Sequence, residues 1–189
     1  MQRWVRTFVA VEAPGDVAAR AVKLVNRLQG APAKVRWTSP PLHFTLKFLG
    51  DVEILQIPEV CRVVADAIAD MPAFDLEVRG AGAFPTADRP RTVWIGTGSG
   101  TEQMVALHEA LDNALAEMGF RSDGRRYRPH LTIGRVRNSP AGVDALGDAI
   151  AAEADFQGGV MRVDEVLVFS SRLERSGPVY EVLGHADLG

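Results

Sequence analysis

Apolar and polar positions change period repeatedly along this chain. Over Trp4–Glu12 (WVRTFVAVE), β-branched and aromatic residues crowd together until Pro14 and Gly15, which predicts a strand. From Val17 the spacing lengthens. Val17, Ala21, Leu24, Val25 and Leu28 fall on one face of a helix closed by Gly30. A short extended piece, Val35–Trp37, precedes Pro40-Pro41, and a strand is predicted over His43–Leu49. A helix over Val60–Ala69, between Pro58 and Pro72, leads to a strand over Phe74–Phe84.

After Ala87–Pro90 the same order begins again. Arg91–Thr97 is a strand, Glu102–Met118 an amphipathic helix closed by Gly119, and His130–Val136 a strand. A helix over Ala141–Ala154, begun near Ser139-Pro140, is followed by strands over Phe156–Val163, Glu165–Ser171 and Val179–Gly184. Landmarks recur at a nearly constant distance. Arg6 matches Arg91, His43 matches His130, Phe74 matches Phe156 and Phe84 matches Phe169, at offsets of 85, 87, 82 and 85 residues. This predicts a single domain over 1–189, built as a duplicated unit with approximate halves 1–88 and 89–189.

The matched positions carry one motif twice. Leu42-His43-Phe44-Thr45-Leu46 faces Pro129-His130-Leu131-Thr132-Ile133. On a strand, residues two apart share a face. His43 and Thr45 then point one way, and Phe44, Leu46 and Phe48 the other. His130 and Thr132 likewise oppose Leu131 and Ile133. Two such strands related by a pseudo-twofold would bring two imidazoles and two hydroxyls to one cleft, a cup for a small tetrahedral anion. Phosphodiester cleavage uses such a set. Imidazole titrates near pH ~6.5, so one ring can take a proton from water while the other gives one to the leaving oxygen. Hydroxyls can hold the non-bridging oxygens.

A lone His-x-Thr says little, but two copies at matched positions are far more specific. A metal centre would need a third ligand, and the motif supplies threonines instead of carboxylates. Neither metal nor organic cofactor is expected. His108, within a helix, and His185, near the C-terminus, are expected at the surface or an interface.

Composition sharpens this picture. Hydrophobic residues make up 47% and charged residues 24%, as in ordinary folded proteins. The net charge of −3 gives no global field for long nucleic acid, so an RNA substrate would be gripped locally at one end. Lysine occurs at only three positions (Lys23, Lys34, Lys47) among 21 basic residues, so any single arginine is a weak signal. Cys61 is the only cysteine, which excludes an intramolecular disulfide and a thiolate cluster, and a buried inert thiol is expected. MQRWVRTFVAVEAP lacks an apolar run long enough for a signal peptide, and no stretch approaches a membrane helix. The cytosol is the expected compartment.

The paired motifs resemble those of the 2H phosphoesterase superfamily. VRWTSPPLHFTLKFLGDV (35–52), YRPHLTIGRV (127–136) and the opening RTFVAVEAP (6–14) are similar to its bacterial and archaeal RNA 2′,3′-cyclic phosphodiesterase branch, formerly called 2′–5′ RNA ligase. The resemblance implies a bilobal α/β (α+β) fold in which each lobe is an antiparallel sheet with outer helices and the motifs line the cleft between lobes. It implies metal-free hydrolysis of a 2′,3′-cyclic phosphate to a 2′-phosphate, at an RNA 3′ terminus or on a nucleoside. His43 would be the proton donor and His130 the proton acceptor, with Thr45 and Thr132 holding phosphate. A monomer is expected.

Four positions stay open at this stage. An arginine soon after the second motif fits the family, and Arg135 stands there for substrate binding. Strict alternation nevertheless turns it away from the cleft unless a bulge after Gly134 re-aims it. Lys47 shares the His43 face and would either touch phosphate or end the strand in solvent. Trp37 and Tyr127 would stack on a base or pack in the core. Three functions fit the residues: hydrolysis of RNA terminal cyclic phosphates, a related reaction (2′–5′ end joining or opening of another cyclic nucleotide), and non-catalytic nucleotide binding. Two titrating groups argue against a mere binder.

Overall fold

The computed structural model of the chain describes residues 3–124, 126–137, 141–174 and 177–189. Strands β1 (Trp4–Glu12), β2 (Val35–Trp37) and β4 (Phe74–Phe84) occupy their predicted spans. Strand β3 (His43–Glu53) runs past its predicted end, while β5 (Thr92–Thr97), β6 (Leu131–Val136) and β7 (Gln157–Val163) each start one residue late. Strands β8 (Glu165–Glu174) and β9 (Gly177–Asp187) are longer than predicted. The helices are α1 (Gly15–Leu28), α2 (Ile57–Ile68), α3 (Thr101–Glu117) and α4 (Val143–Ala152). The predicted start of α4 near Ser139-Pro140 lies outside the described residues.

Among the described residues, all nine strands join one antiparallel sheet in the order β7-β4-β5-β6-β3-β1-β8-β9, with β2 also pairing β6. At its middle the sheet narrows. Strands β3 and β6 meet at one register pair, Phe44 opposite Leu131. Two groups of four strands therefore diverge from this junction, β7-β4-β5-β6 and β3-β1-β8-β9. Helices α1 and α4 cover the first group through β7 and β4, and α2 and α3 cover the second through β9 and β3. The helix stripes explain this layering. Val17, Ala21, Leu24 and Leu28 of α1 recur at helical spacing and are fully buried.

The groups interleave the two sequence halves. Strand β4 of the first half joins the sheet of β5, β6 and β7, while β8 returns to flank β1 and β9 lies outside it. Hydrophobic rhythm records the order of elements along the chain but not the sheet edge that each joins. One landmark pair changes meaning as a result. Strands β4 and β7 are neighbours with Phe74 opposite Val163, so Phe74 and Phe156 do not occupy equivalent places. Counted outward from the junction, β4 matches β8, and Phe84 and Phe169 keep their equivalence.

The main core lies between sheet and helices and holds Val9, Val11, Phe44, Leu46, Leu131 and Ile133. A small second cluster (Phe8, Ala10, Leu167 and Phe169, with Tyr180 against it) sits on the opposite face of the sheet. Among the described residues no helix is long and apolar enough to cross a membrane.

Candidate active site

Each motif ends in a β-bulge, and the bulges decide what faces the cleft. On β3, Thr45 pairs with Ala10 and Lys47 with Val9, so Leu46 has no partner of its own. On β6, Thr132 pairs with Trp94 and Gly134 with Val93, which leaves Ile133 extra. An extra residue shifts alternation by one, so the following side chains exchange faces. Arg135 is thereby turned into the cleft, by a bulge one residue earlier than the position considered from sequence.

The same shift overturns two expectations on β3. Lys47 turns into the interior, where it is 1% exposed, and Phe48 turns out of the dry face to become 64% exposed on the cleft wall.

His43, Thr45, His130, Thr132 and Arg135 all line one cavity of about 700 Å³ at the junction of the two strand groups. The two histidines have different surroundings. The His43 ring sits 4.9 Å from Phe8, 5.8 Å from Phe169 and 5.0 Å edge-on from Tyr180. This burial disfavours imidazolium and lowers the His43 pKa to about 4.

His130 meets Phe84 edge-on at 5.0 Å, and its Nδ1 lies 2.7 Å from the Arg128 carbonyl oxygen. A carbonyl can only accept, so Nδ1 carries the proton and the Nε2 lone pair is left available. Burial lowers the His130 pKa, the carbonyl bond opposes that shift, and the Arg128 and Arg135 charges add to it.

A buried polar strap crosses the divergence between β3 and β6. His108 is only 5% exposed, which corrects its expected place at the surface. Its ring stacks on Tyr127 at 4.2 Å and its Nδ1 donates to the Leu46 carbonyl at 2.7 Å, while Tyr127 Oη donates to the Thr45 carbonyl at 3.0 Å. Past the single β3–β6 pair these strand carbonyls have no neighbouring strand on that side, and side chains take its place. Burial pushes the Tyr127 hydroxyl well above its usual pKa. Tyr127 is therefore held by protein partners instead of standing free for a base.

Lys47 extends the strap. It contacts Asp112 at 2.5 Å, Asp123 at 3.2 Å and the Arg121 carbonyl at 2.7 Å. Asp112 also accepts from the Ser122 hydroxyl and the Asp123 N–H. Burial alone would raise the Asp112 pKa, but these bonds hold it at about 2. The segment leading to His130 is thus fastened to the strand that carries His43.

Several cleft residues gave no usable signal in the sequence. Arg36 stands directly opposite Arg135 across the β2–β6 pair, and Arg6 and Tyr180 reach the same cavity. In a chain so rich in arginine, only their place in the fold identifies Arg6 and Arg36. Trp37 lines the cleft while lying over Gly134, where a Cβ would come within 2.8 Å of its ring, so glycine is needed for that approach. The remaining candidates are elsewhere. His185 is on the surface, paired with Glu165 at 2.6 Å, and Cys61 is half-buried, its thiol pKa raised by burial. Among the described residues no three His, Cys, Asp or Glu side chains converge as a metal site would need.

Residues 14–174, which include both motifs, the two bulges and the strap, match the 2'-5' RNA ligase superfamily. The chain belongs to that superfamily. Curated relatives extend the match beyond that span. The RNA 2',3'-cyclic phosphodiesterase of Methanothermobacter thermautotrophicus is 37% identical, over 93% of this chain and 95% of its own length. The protein of the same name from Thermotoga maritima is 33% identical, over 94% and 92%. The crystal structure of TT0787 of Thermus thermophilus superposes with a TM-score of 0.79 at 25% identity and covers 97% of both chains.

Proposed function

We propose that this protein hydrolyses the 2′,3′-cyclic phosphate at RNA 3′ ends, or on a nucleoside, to a 2′-phosphate with no metal. Relatives named RNA 2',3'-cyclic phosphodiesterase support the substrate class. The observation that carries the reading is the pair of unlike imidazoles, with two hydroxyls and Arg135, around one cleft. His130, its Nδ1 proton held on the Arg128 carbonyl, takes the proton of the attacking water on Nε2. The water oxygen bonds to phosphorus as the bond to the 3′-oxygen breaks, and His43 gives that oxygen its proton. Thr45, Thr132 and Arg135 hold the non-bridging oxygens. Solvent then returns a proton to His43 and removes one from His130.

His43 must be protonated to act, although its burial favours the neutral form. The phosphate anion reverses that balance, because an opposite charge within ~4–6 Å stabilises imidazolium. Substrate thus charges its own acid. The arginine cluster of Arg6, Arg36 and Arg135 supplies the local attraction that a chain of net charge −3 lacks overall. The test is turnover of a nucleoside 2′,3′-cyclic phosphate with and without EDTA, and equal rates are expected. Loss of turnover that divalent ions restore would contradict the mechanism.

A further inference from the structure

His130 and Tyr127 also line a second cavity, of about 650 Å³, which therefore adjoins the cleft on the His130 side. Its wall is aromatic and cationic. The Trp94 indole lies flat on the sheet over Gly82 and Gly96. A Cβ at Gly82 would collide with its six-membered ring, and one at Gly96 would come within 3.1 Å of it. Phe84 packs beside it at 5.1 Å, and the Arg128 guanidinium covers both rings at 5.3 and 5.5 Å. Arg79 and Arg126 line the same space.

Arg79 is paired with Glu77 and Asp155, whereas Arg126 and Arg128 form no ion pair with the described residues, and Trp94 Nε1–H is a buried donor without an acceptor there. The equivalent place on the His43 side is filled. Phe169, the counterpart of Phe84, stacks on Phe8 at 5.2 Å with Tyr180 against it.

We infer that this second cavity is a nucleotide subsite, where a base stacks on the layer that the Arg128 guanidinium forms over the two rings and the Arg126 guanidinium receives a phosphate. The inference rests on the proposed phosphodiesterase reading. Stacking takes any base, and Arg is suited to both phosphate and aromatic faces. Two sources of nucleotide fit this chemistry: the residue preceding the cyclic end in the same strand, or a separate strand on the side where His130 receives the nucleophile.

The test compares adenosine 2′,3′-cyclic phosphate with an adenylate dinucleotide ending in the same cyclic phosphate, for the natural protein, Arg126→Ala and Trp94→Leu. Arg126 is exposed, so its replacement leaves the fold intact even if Trp94→Leu does not. A same-strand subsite gives the dinucleotide roughly tenfold higher kcat/KM, carried by KM, and Arg126→Ala removes that gain while sparing the mononucleoside. A separate-strand subsite leaves the dinucleotide without advantage. Instead, added adenylate dinucleotide alters turnover of the mononucleoside, or is joined to it, in an Arg126-dependent way.

Indifference to both strand length and added strand overturns the subsite, as does an equal loss on both substrates in Arg126→Ala. Calorimetry with adenylate mono- and dinucleotides ending in a 3′-phosphate reads the subsite without turnover. Tighter dinucleotide binding that needs Arg126, with no hydrolysis of any cyclic phosphate, would keep the subsite and sink the proposed function.

Discussion

On one side of the cleft, His43 is enclosed by Phe8, Phe169 and Tyr180, with neither ring nitrogen hydrogen-bonded among the described residues. On the other, His130 has one nitrogen committed to the Arg128 carbonyl and stands among arginines. Motif and bulge are the same on both strands, yet the first residue to re-enter the cleft after the bulge is Phe48 on β3 and Arg135 on β6. On the proposed mechanism the symmetry supplies two proton carriers, and the departures from symmetry are what would give them different roles.

The largest effects should come from removing either ring. His43→Ala and His130→Ala are each expected to lose ~10²–10⁴-fold in kcat with the fold preserved. A phosphodiester with a nitrophenolate leaving group separates the two roles, because nitrophenolate departs without a proton. His43→Ala should recover much of its rate on such a substrate, whereas His130→Ala should not. Equal recovery would mean that the two sides are interchangeable.

Lys47→Met tests the strap that fixes one side against the other. Breaking a buried pair leaves Asp112 uncompensated and costs about 3–5 kcal/mol, which thermal unfolding would register as a large fall in Tm. An unchanged Tm would show that the sheet junction suffices without it.

Smaller losses are expected from single hydrogen-bond donors. On the proposed mechanism, Thr45→Ala, Thr132→Ala and Arg135→Ala would each remove a bond to the phosphate, worth roughly 1.5–3 kcal/mol in kcat/KM. Phe48→Ala should stay closer to the natural protein than Arg135→Ala. The reverse ranking would place phosphate on the wrong wall.

The smallest effect is a dependence on pH. With its pKa lowered to about 4, against 6.5 in the unfolded chain, neutral His43 favours the folded state. Between these values the unfolded chain binds the extra proton, so this contribution is complete above about pH 6.5 and declines toward about pH 4. On the proposed mechanism, bound inorganic phosphate should oppose the decline. Its binding should take up a proton and tighten as pH falls from about 7 toward about 5, which calorimetry in buffers of different ionisation enthalpy would detect.

The sequence disclosed what depends on local pattern. Strands β1, β2 and β4 could be placed to the residue, and the two motifs could be matched through their offset, because strand period and punctuation are written locally. Bulges escaped notice because they exist only against a partner strand: Leu46 and Ile133 are extra relative to β1 and β5, not in their own order. Strict alternation therefore predicts the wrong faces for Lys47 and Phe48 and leaves the side of Arg135 undecided. His108 read as a surface residue because its helix shows a polar position there. Its burial follows from carbonyls that the diverging sheet leaves open, which is a tertiary property. Arg36 entered the site only through its register opposite Arg135.

Product identity tests the division of labour between the two histidines most directly. With His43 beside the 3′-oxygen and His130 beside the water, only the bond from phosphorus to the 3′-oxygen breaks. Phosphorus NMR of the products from a nucleoside 2′,3′-cyclic phosphate should then show the 2′-phosphate alone, with a free 3′-hydroxyl. A 3′-phosphate product would reverse the donor and acceptor assignments and contradict the account.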